Sequence, residues 1–373
     1  MIDFIEMLRR PELSLPATYD ADDFIGMVRR RFDSFFGVFD RLDHADDNCR
    51  EILNERPAIV KCSKNILQAI REYFSGSPST AFTNIDSAIK SVRPRFDQLC
   101  IEDVKSRAFE YLYRMREAGR GNLEKQDLFH VPFEARGKVA SQRYSINGLP
   151  CLYLGSSLYV CWEELGRPDV GNLQISCFEI AESERVSIVD FGIRPETMHR
   201  DLSNSRSGST EAADNYSMFV ARVVCWPLLF ACSIRVRNPS DTFKPEYVVP
   251  QLLLEWITTQ RGFDGVRYFS QVLPRYDMAD ELVLNYVFPV KNRPVKGVCK
   301  QLSRLFRMSD PVAWSVARGF AVGCWQPDTY DLDFNIVRGD QRKYIDSEFG
   351  RVQDYVDRLP KSSISTARDE VGE

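Results

Sequence analysis

Three residues near the middle of the chain have the side-chain types needed to hold an anionic, ribose-bearing ligand. They are Arg143, Tyr153 ten residues later, and Glu164 eleven residues after that. A guanidinium offers a bidentate fork for phosphate oxygens. A tyrosine ring offers a flat face for a nicotinamide or adenine ring. A carboxylate accepts a hydrogen bond from a ribose hydroxyl and stabilises an oxocarbenium-like centre, as carboxylates do in glycoside cleavage.

The elements that must position them lie in residues 128–169, LFHVPFEARGKVASQRYSINGLPCLYLGSSLYVCWEELGRPD. The pattern predicts a short strand over 128–133 with His130 on it, a basic segment reaching Arg143, and a turn at Asn147-Gly148. A strand over 151–154 follows. Gly155-Ser156-Ser157 then opens a helix over 158–165, with a serine as its cap. Neighbouring residues on a helix point in different directions, so only one of Glu163 and Glu164 serves a given site. Each residue also has a plain structural reading: a surface ion pair for Arg143, a half-buried strand position for Tyr153, and a hydrogen-bonded strand histidine for His130.

These residues resemble the RES domain, whose members carry an Arg, then a Tyr in a Y-L-A-S-like strand, then a Glu on the next helix. Here the matching segments are QRYSINGLP, LYLGSS and CWEEL, and both spacings fit. The later helix, D-G-I-like strand and Asn-containing strand of the family resemble YVVPQLLLEWI, FDGVRYFS and LVLNYVFP. The family's serine carries over to Ser270, and Gln251 on the helix is a secondary binding candidate. The chain departs from the family in two places. His130 stands where some members have a first-strand Arg, and Val248 stands near a position where some have a functional Ser. The resemblance covers roughly residues 125–360.

What the resemblance implies is an ADP-ribosyltransferase-like split β-sheet that clasps NAD as substrate. Glu164, Arg143, Tyr153 and Ser270 would be catalytic; His130, Arg143, Tyr153, Gln251 and Ser270 would bind NAD. The implied reaction opens the nicotinamide–ribose bond by hydrolysis or phosphorolysis, in a toxin or defence effector. The alternatives are ADP-ribosylation of a protein target and a sensor that binds NAD or ADP-ribose without turning it over. Several family members are toxins with a neutralising partner.

Around this core the chain reads as α+β with an all-helical N-terminal region. Helices are expected from residue 20 to about 117, including segments near 48–75, 83–92 and 101–118. The first carries an apolar stripe at Ile25, Val28, Phe32, Phe35, Phe39 and Leu42, with Asp20 or Asp22 as its cap. After Gly119 and Gly121 the pattern changes to short apolar runs at 151–154, 173–180, 186–189 and 282–290, with helices at 212–224 and 247–259. The expected division is a helical domain over 1–122, a catalytic domain over 123–360 and a flexible tail over 361–373. The polar stretch 195–215 is expected to be either a lid or disordered. The unexplained helical region leaves open a neutralising or activating protein partner, or a homo-oligomer.

Composition sets further limits. The net charge of −4 argues against bulk electrostatic attraction to nucleic acid. The ten cysteines form no C-x-x-C pair and the chain has only three histidines, so no metal site is expected. Reduced thiols, the absence of a basic-then-apolar leader and the lack of any run long enough to span a bilayer lead to the expectation of a cytoplasmic protein.

Overall fold

The computed structural model describes the chain except residues 20–21, 102–110, 120, 196, 200–209, 261, 274–278, 292–294, 322–331, 336–341 and 365–373. It is a mixed α+β protein of two compact units that alternate along the sequence. One comprises Met1–Cys100, Gln142–Tyr144 and Val189–Arg261; the other comprises Ile101–Ser141, Ser145–Ile188 and Gly262–Glu373. A single expected division at 122/123 does not describe this alternation.

The first unit is helical because its apolar residues recur at intervals of three and four. The helix Phe24–Phe39 buries Phe24, Met27, Val28, Phe32, Phe35, Val38 and Phe39. Asp23 caps it, its carboxylate accepting from the Gly26 N–H at 2.7 Å; Asp20 lies outside the described residues. The helices Asp47–Phe74 and Pro78–Ser91 follow near their expected places. The aromatic stripe closes on a helix from far along the chain, the buried Trp226–Cys232. Phe35 stacks on Trp226 with ring centroids 4.3 Å apart, and Phe32 meets Phe230 edge-on at 5.6 Å. The Trp226 indole N–H donates to the Leu13 carbonyl at 3.0 Å, which satisfies the only polar atom of that ring. Arg222, on the helix Thr210–Val224, forms a fully buried ion pair with Asp190 and also donates to the Asp190 carbonyl at 2.8 Å. The helix Val248–Thr259 completes the unit. Of the polar stretch 195–215, residues 196 and 200–209 lie outside the described residues.

The second unit is built on an antiparallel sheet. Its strands run in the order Gly265–Phe269, Leu284–Pro289, Cys151–Gly155, Leu112–Glu117, Leu173–Ile180, Phe306–Ser309 and Lys361–Ser363. Leu112–Glu117 pairs with Leu173–Ile180 along its whole length, from Leu112↔Phe178 to Glu117↔Leu173. Its other neighbour, Cys151–Gly155, meets it at one pair only, Tyr113↔Gly155. The sheet therefore parts between these two strands. Tyr113, Met115, Ile175 and Cys177 form one core face, packed against Trp314, Ala317, Val352 and Val356.

Three expectations change. Residues 112–117 form a strand within the stretch expected to be helical, while 102–110 lie outside the described residues. Alternate burial of Tyr113 and Met115 against a six-residue partner outweighs helix propensity there. Residues 128–133 are not a strand: a 3-10 turn, Lys125–Leu128, leads through bends into another, Phe133–Lys138. Finally, Lys361–Ser363 is no loose tail but pairs antiparallel with Phe306–Ser309, and Ile364 is buried. Residues 365–373 lie outside the described residues.

Candidate functional site

Glu164 ends the helix Leu158–Glu164, and the start of that helix is fixed by side chains. The Ser157 hydroxyl accepts from the Val160 N–H at 3.1 Å and donates to the Leu282 carbonyl at 2.6 Å. The buried Gln353 side chain accepts from the Leu158 N–H at 2.9 Å. Two of the orphan donors of a short helix, the Leu158 and Val160 N–H groups, are thereby satisfied and its direction is set. Gly155 allows the close approach: a Cβ there would lie 2.6 Å from the Cys161 sulfur.

At the far end, the Glu164 Oε1 accepts two hydrogen bonds. The Ser270 hydroxyl donates at 2.7 Å and the Asn285 amide at 2.6 Å. Ser270 and Asn285 are both buried, whereas Glu164 is exposed. Ser270 follows the strand Gly265–Phe269 and is held by its own N–H, which donates to the Val283 carbonyl at 2.8 Å. Asn285 lies on Leu284–Pro289. One carboxylate oxygen is thus fixed by two neutral donors, while the residue faces solvent. Such a group can accept from a sugar hydroxyl, take a proton from a nucleophile, or stabilise a developing cation. Glu163 points elsewhere: it is 2% exposed and pairs with Arg167 at 2.7 Å. The geometry therefore distinguishes the two glutamates.

Arg114, on the strand beside the parting of the sheet, is not singled out by the sequence. Its Nη1 is buried and has no hydrogen-bond partner among the described residues. Burial, and then the neighbouring Arg116, pull its pKa down to about 10. Ser176 sits opposite it in register, and its hydroxyl is likewise buried without a partner among the described residues. A buried guanidinium donor left unpaired is costly unless an acceptor, such as an anionic group, meets it. The charge of Arg114 is felt at Tyr153 and Cys161, in each case as a minor influence beside burial. Tyr153, on Cys151–Gly155, is half-buried, and burial holds its hydroxyl protonated well above the usual tyrosine range. The one sequence signal for Arg114 is a cation set among the apolar residues of the run LYRM.

His130 is fully buried, and both ring nitrogens are taken. Nδ1 lies 2.8 Å from the Val131 carbonyl, and Nε2 accepts from the Cys299 N–H at 2.8 Å. This arrangement requires the neutral Nδ1–H tautomer and leaves no ring nitrogen for a ligand. Burial lowers the His130 pKa to about 4.

Arg143 and Gln251 belong to the first unit. Arg143 is 7% exposed; its Nη1 donates to the Cys232 carbonyl at 3.2 Å, and its guanidinium lies 5.3 Å from the centre of the Tyr247 ring. The Gln251 amide donates to the Gln142 carbonyl at 3.0 Å, which ties the neighbour of Arg143 to the helix Val248–Thr259. Within the second unit, then, the fold brings Glu164, Ser270 and Asn285 together. Among the described residues, no group of three or more His, Cys, Asp or Glu side chains is placed to hold a metal ion, and no helix is long and apolar enough to cross a membrane.

No protein-family model matches the chain, and no solved structure matches it. The chain is 33% identical over 321 residues to a protein of Bacillus subtilis (strain 168) named "Putative toxin YopC", an alignment covering 80% of this chain and 69% of that one. On that identity and coverage, the chain belongs to the family of this B. subtilis protein.

Proposed function

We propose that the protein is a RES-like enzyme that cleaves the nicotinamide–ribose bond of NAD and acts as a toxin. The observation that carries this reading is the Glu164 carboxylate, fixed by Ser270 and Asn285 yet open to solvent. Support also comes from the parting of the sheet beside Arg114, which is what an ADP-ribosyltransferase-like split sheet would require. The toxin role rests on the name of the B. subtilis relative, and it suggests a neutralising protein partner.

In this reading Arg114 accepts the negative charge of the ligand, and Tyr153 offers its ring to a base. The C1′–N bond breaks and its electron pair leaves with neutral nicotinamide. Positive charge builds on the ribose as this happens, and the Glu164 carboxylate opposes it. Water adds to C1′, and its proton passes through Glu164 to solvent. The products are ADP-ribose, nicotinamide and a proton. Phosphate or a protein side chain in place of water gives phosphorolysis or ADP-ribosylation.

The test is release of free nicotinamide from NAD by the purified protein with water alone, with phosphate and with cell lysate. Release that is lost in Glu164→Gln supports the proposal. NAD binding without release favours a sensor, and neither binding nor release removes NAD from consideration.

A further inference from the structure

Two segments of the second unit are pinned side by side and carry charge of one sign. The Phe133 N–H donates to the Gly297 carbonyl at 2.9 Å, the Gly297 N–H to the Glu134 carboxylate at 2.7 Å, and the Cys299 N–H to the His130 Nε2 at 2.8 Å. The first segment brings Arg136 and Lys138 to the surface, and the second brings Lys296, Lys300 and Arg304. All five are exposed, and none forms an ion pair among the described residues. Their neighbour Lys291 differs, being taken by Asp264 at 3.3 Å. Lys300 and Arg304 stand four residues apart on the helix Lys300–Leu305, whose Leu302 and Leu305 are buried. The basicity is local: from Leu282 to Ser309 there are six Lys or Arg and no Asp or Glu, in a chain whose net charge is −4. Glu134 lies among these cations with its carboxylate fixed on the Gly297 N–H. Val295, in the second segment, is 85% exposed.

Like charges four apart on a helix repel, so this arrangement does not stabilise the fold. What it does supply is a field opposite in sign to that of the chain as a whole. We infer that this surface docks an acidic segment of a partner protein. Complementary charge steers such a partner and fixes its register, and Val295 gives it an apolar contact. The same residues disfavour nucleic acid. The Glu134 carboxylate, held in place among the cations, opposes a continuous phosphate backbone but fits between spaced acidic side chains. Phe129 and Phe133, the rings of the first segment, are buried and offer no face on which a base would stack. The inference rests on the toxin reading above for the partner's role, that of a neutralising protein, and it does not depend on NAD cleavage.

Fluorescence anisotropy of a labelled peptide of glutamates, serines and leucines, titrated with the full chain, tests this. A single-stranded oligonucleotide of equal charge is the comparison. The peptide should bind, and Lys300→Glu combined with Arg304→Glu should weaken it by about tenfold or more at low salt. Lys300→Gln with Arg304→Gln, which only neutralises, should weaken it by about threefold. Lys61→Glu with Lys64→Glu makes the same charge change at two exposed lysines of the helix Asp47–Phe74 and should alter binding by less than about twofold. Every substituted side chain is exposed, so the melting temperatures should match the parent's. Equal losses in the two Glu pairs would show that only net charge is read, and would overturn the inference. A peptide that does not bind the parent overturns it as well. An oligonucleotide that binds the parent more tightly than the peptide, and through Lys300 and Arg304, reassigns the surface to nucleic acid. Nicotinamide release is no part of this readout, so failure here leaves the cleavage reading standing, and failure of cleavage leaves the docking surface standing.

Discussion

Asn285 donates its side-chain N–H to the Glu164 Oε1 at 2.6 Å, across 121 residues of sequence. The amide supplies a fixed neutral donor to one oxygen of a carboxylate that otherwise faces water. That relationship separates Glu164 from its neighbour Glu163, and it makes the role of each open to measurement.

Glu164→Gln keeps an acceptor for both donors and removes the charge. Nicotinamide release should fall by about a hundredfold or more, with the melting temperature nearly unchanged. Glu163→Gln should do the opposite. It loosens the ion pair to Arg167 at a cost of about 1 kcal/mol and leaves turnover intact. Activity lost in Glu163→Gln and kept in Glu164→Gln would show that the wrong glutamate has been assigned.

Asn285→Asp places a second carboxylate against Glu164. Two such groups resist joint ionisation, so the acid limb of the pH–activity curve should move up by about 1–2 pH units. Asn285→Ala, which brings no charge, should lower activity without moving that limb. A pH profile identical in all three proteins would mean that the Glu164 charge plays no part in turnover.

Arg114→Met removes a buried donor that has no partner among the described residues, and it keeps most of the side-chain volume. Stability should hold or rise by about 1 kcal/mol while nicotinamide release is lost. A drop of several degrees in melting temperature would instead assign Arg114 to the framework.

His130 is held neutral by burial, with its pKa lowered from 6.5 to about 4. Between those values the unfolded chain binds a proton that the folded chain does not, so stability falls as pH drops through this window. The full difference amounts to about 3 kcal/mol at pH 4 and below. Chemical denaturation at pH 7 and pH 4.5 should reveal it, and His130→Gln should remove most of the slope while costing stability at neutral pH. An equal slope in both proteins would contradict the role assigned to His130.

Trp226 and Phe230 face Phe32 and Phe35 inside the first unit, so a fragment of residues 123–373 loses the other half of that aromatic core. It should be insoluble or lose the near-ultraviolet signature of its tryptophans. Removing the Phe35 ring alone, in Phe35→Ala, should cost about 3–5 kcal/mol. A stable, monomeric fragment 123–373 would show that the Val189–Arg261 helices stand without their N-terminal partners.

Local pattern makes part of this legible. The strand Cys151–Gly155, the turn at Asn147-Gly148 and the helix bearing Glu164 are marked by period, turn residues and a serine cap within a few residues of each, although the partners that fix the strand and the helix lie more than a hundred residues downstream. Ser270 and Glu164 are both candidates by sequence, but only the fold joins them. Asn285 lies in the run LVLNYVFP, where an asparagine has no distinct role until its partner is known. Arg114 is hidden by a helical reading of residues that tertiary pairing turns into a strand. The apolar neighbours of His130 suggest a strand, whereas the backbone groups of Val131 and Cys299 fix it in a bend. The return of residues 142–144 and 189–261 to the first unit leaves no periodic trace in the sequence.

The distance along the chain between Glu164 and its two donors also orders events at the ribosome. Glu164 leaves the exit tunnel 106 residues ahead of Ser270 and 121 ahead of Asn285. Throughout that interval the helix carrying it also lacks Gln353, which meets the Leu158 N–H from 195 residues downstream. A nascent chain therefore displays the carboxylate long before anything can aim it. Whatever Glu164 does, it begins only after Ser270 and Asn285, and the Gln353 that sets its helix, have also emerged.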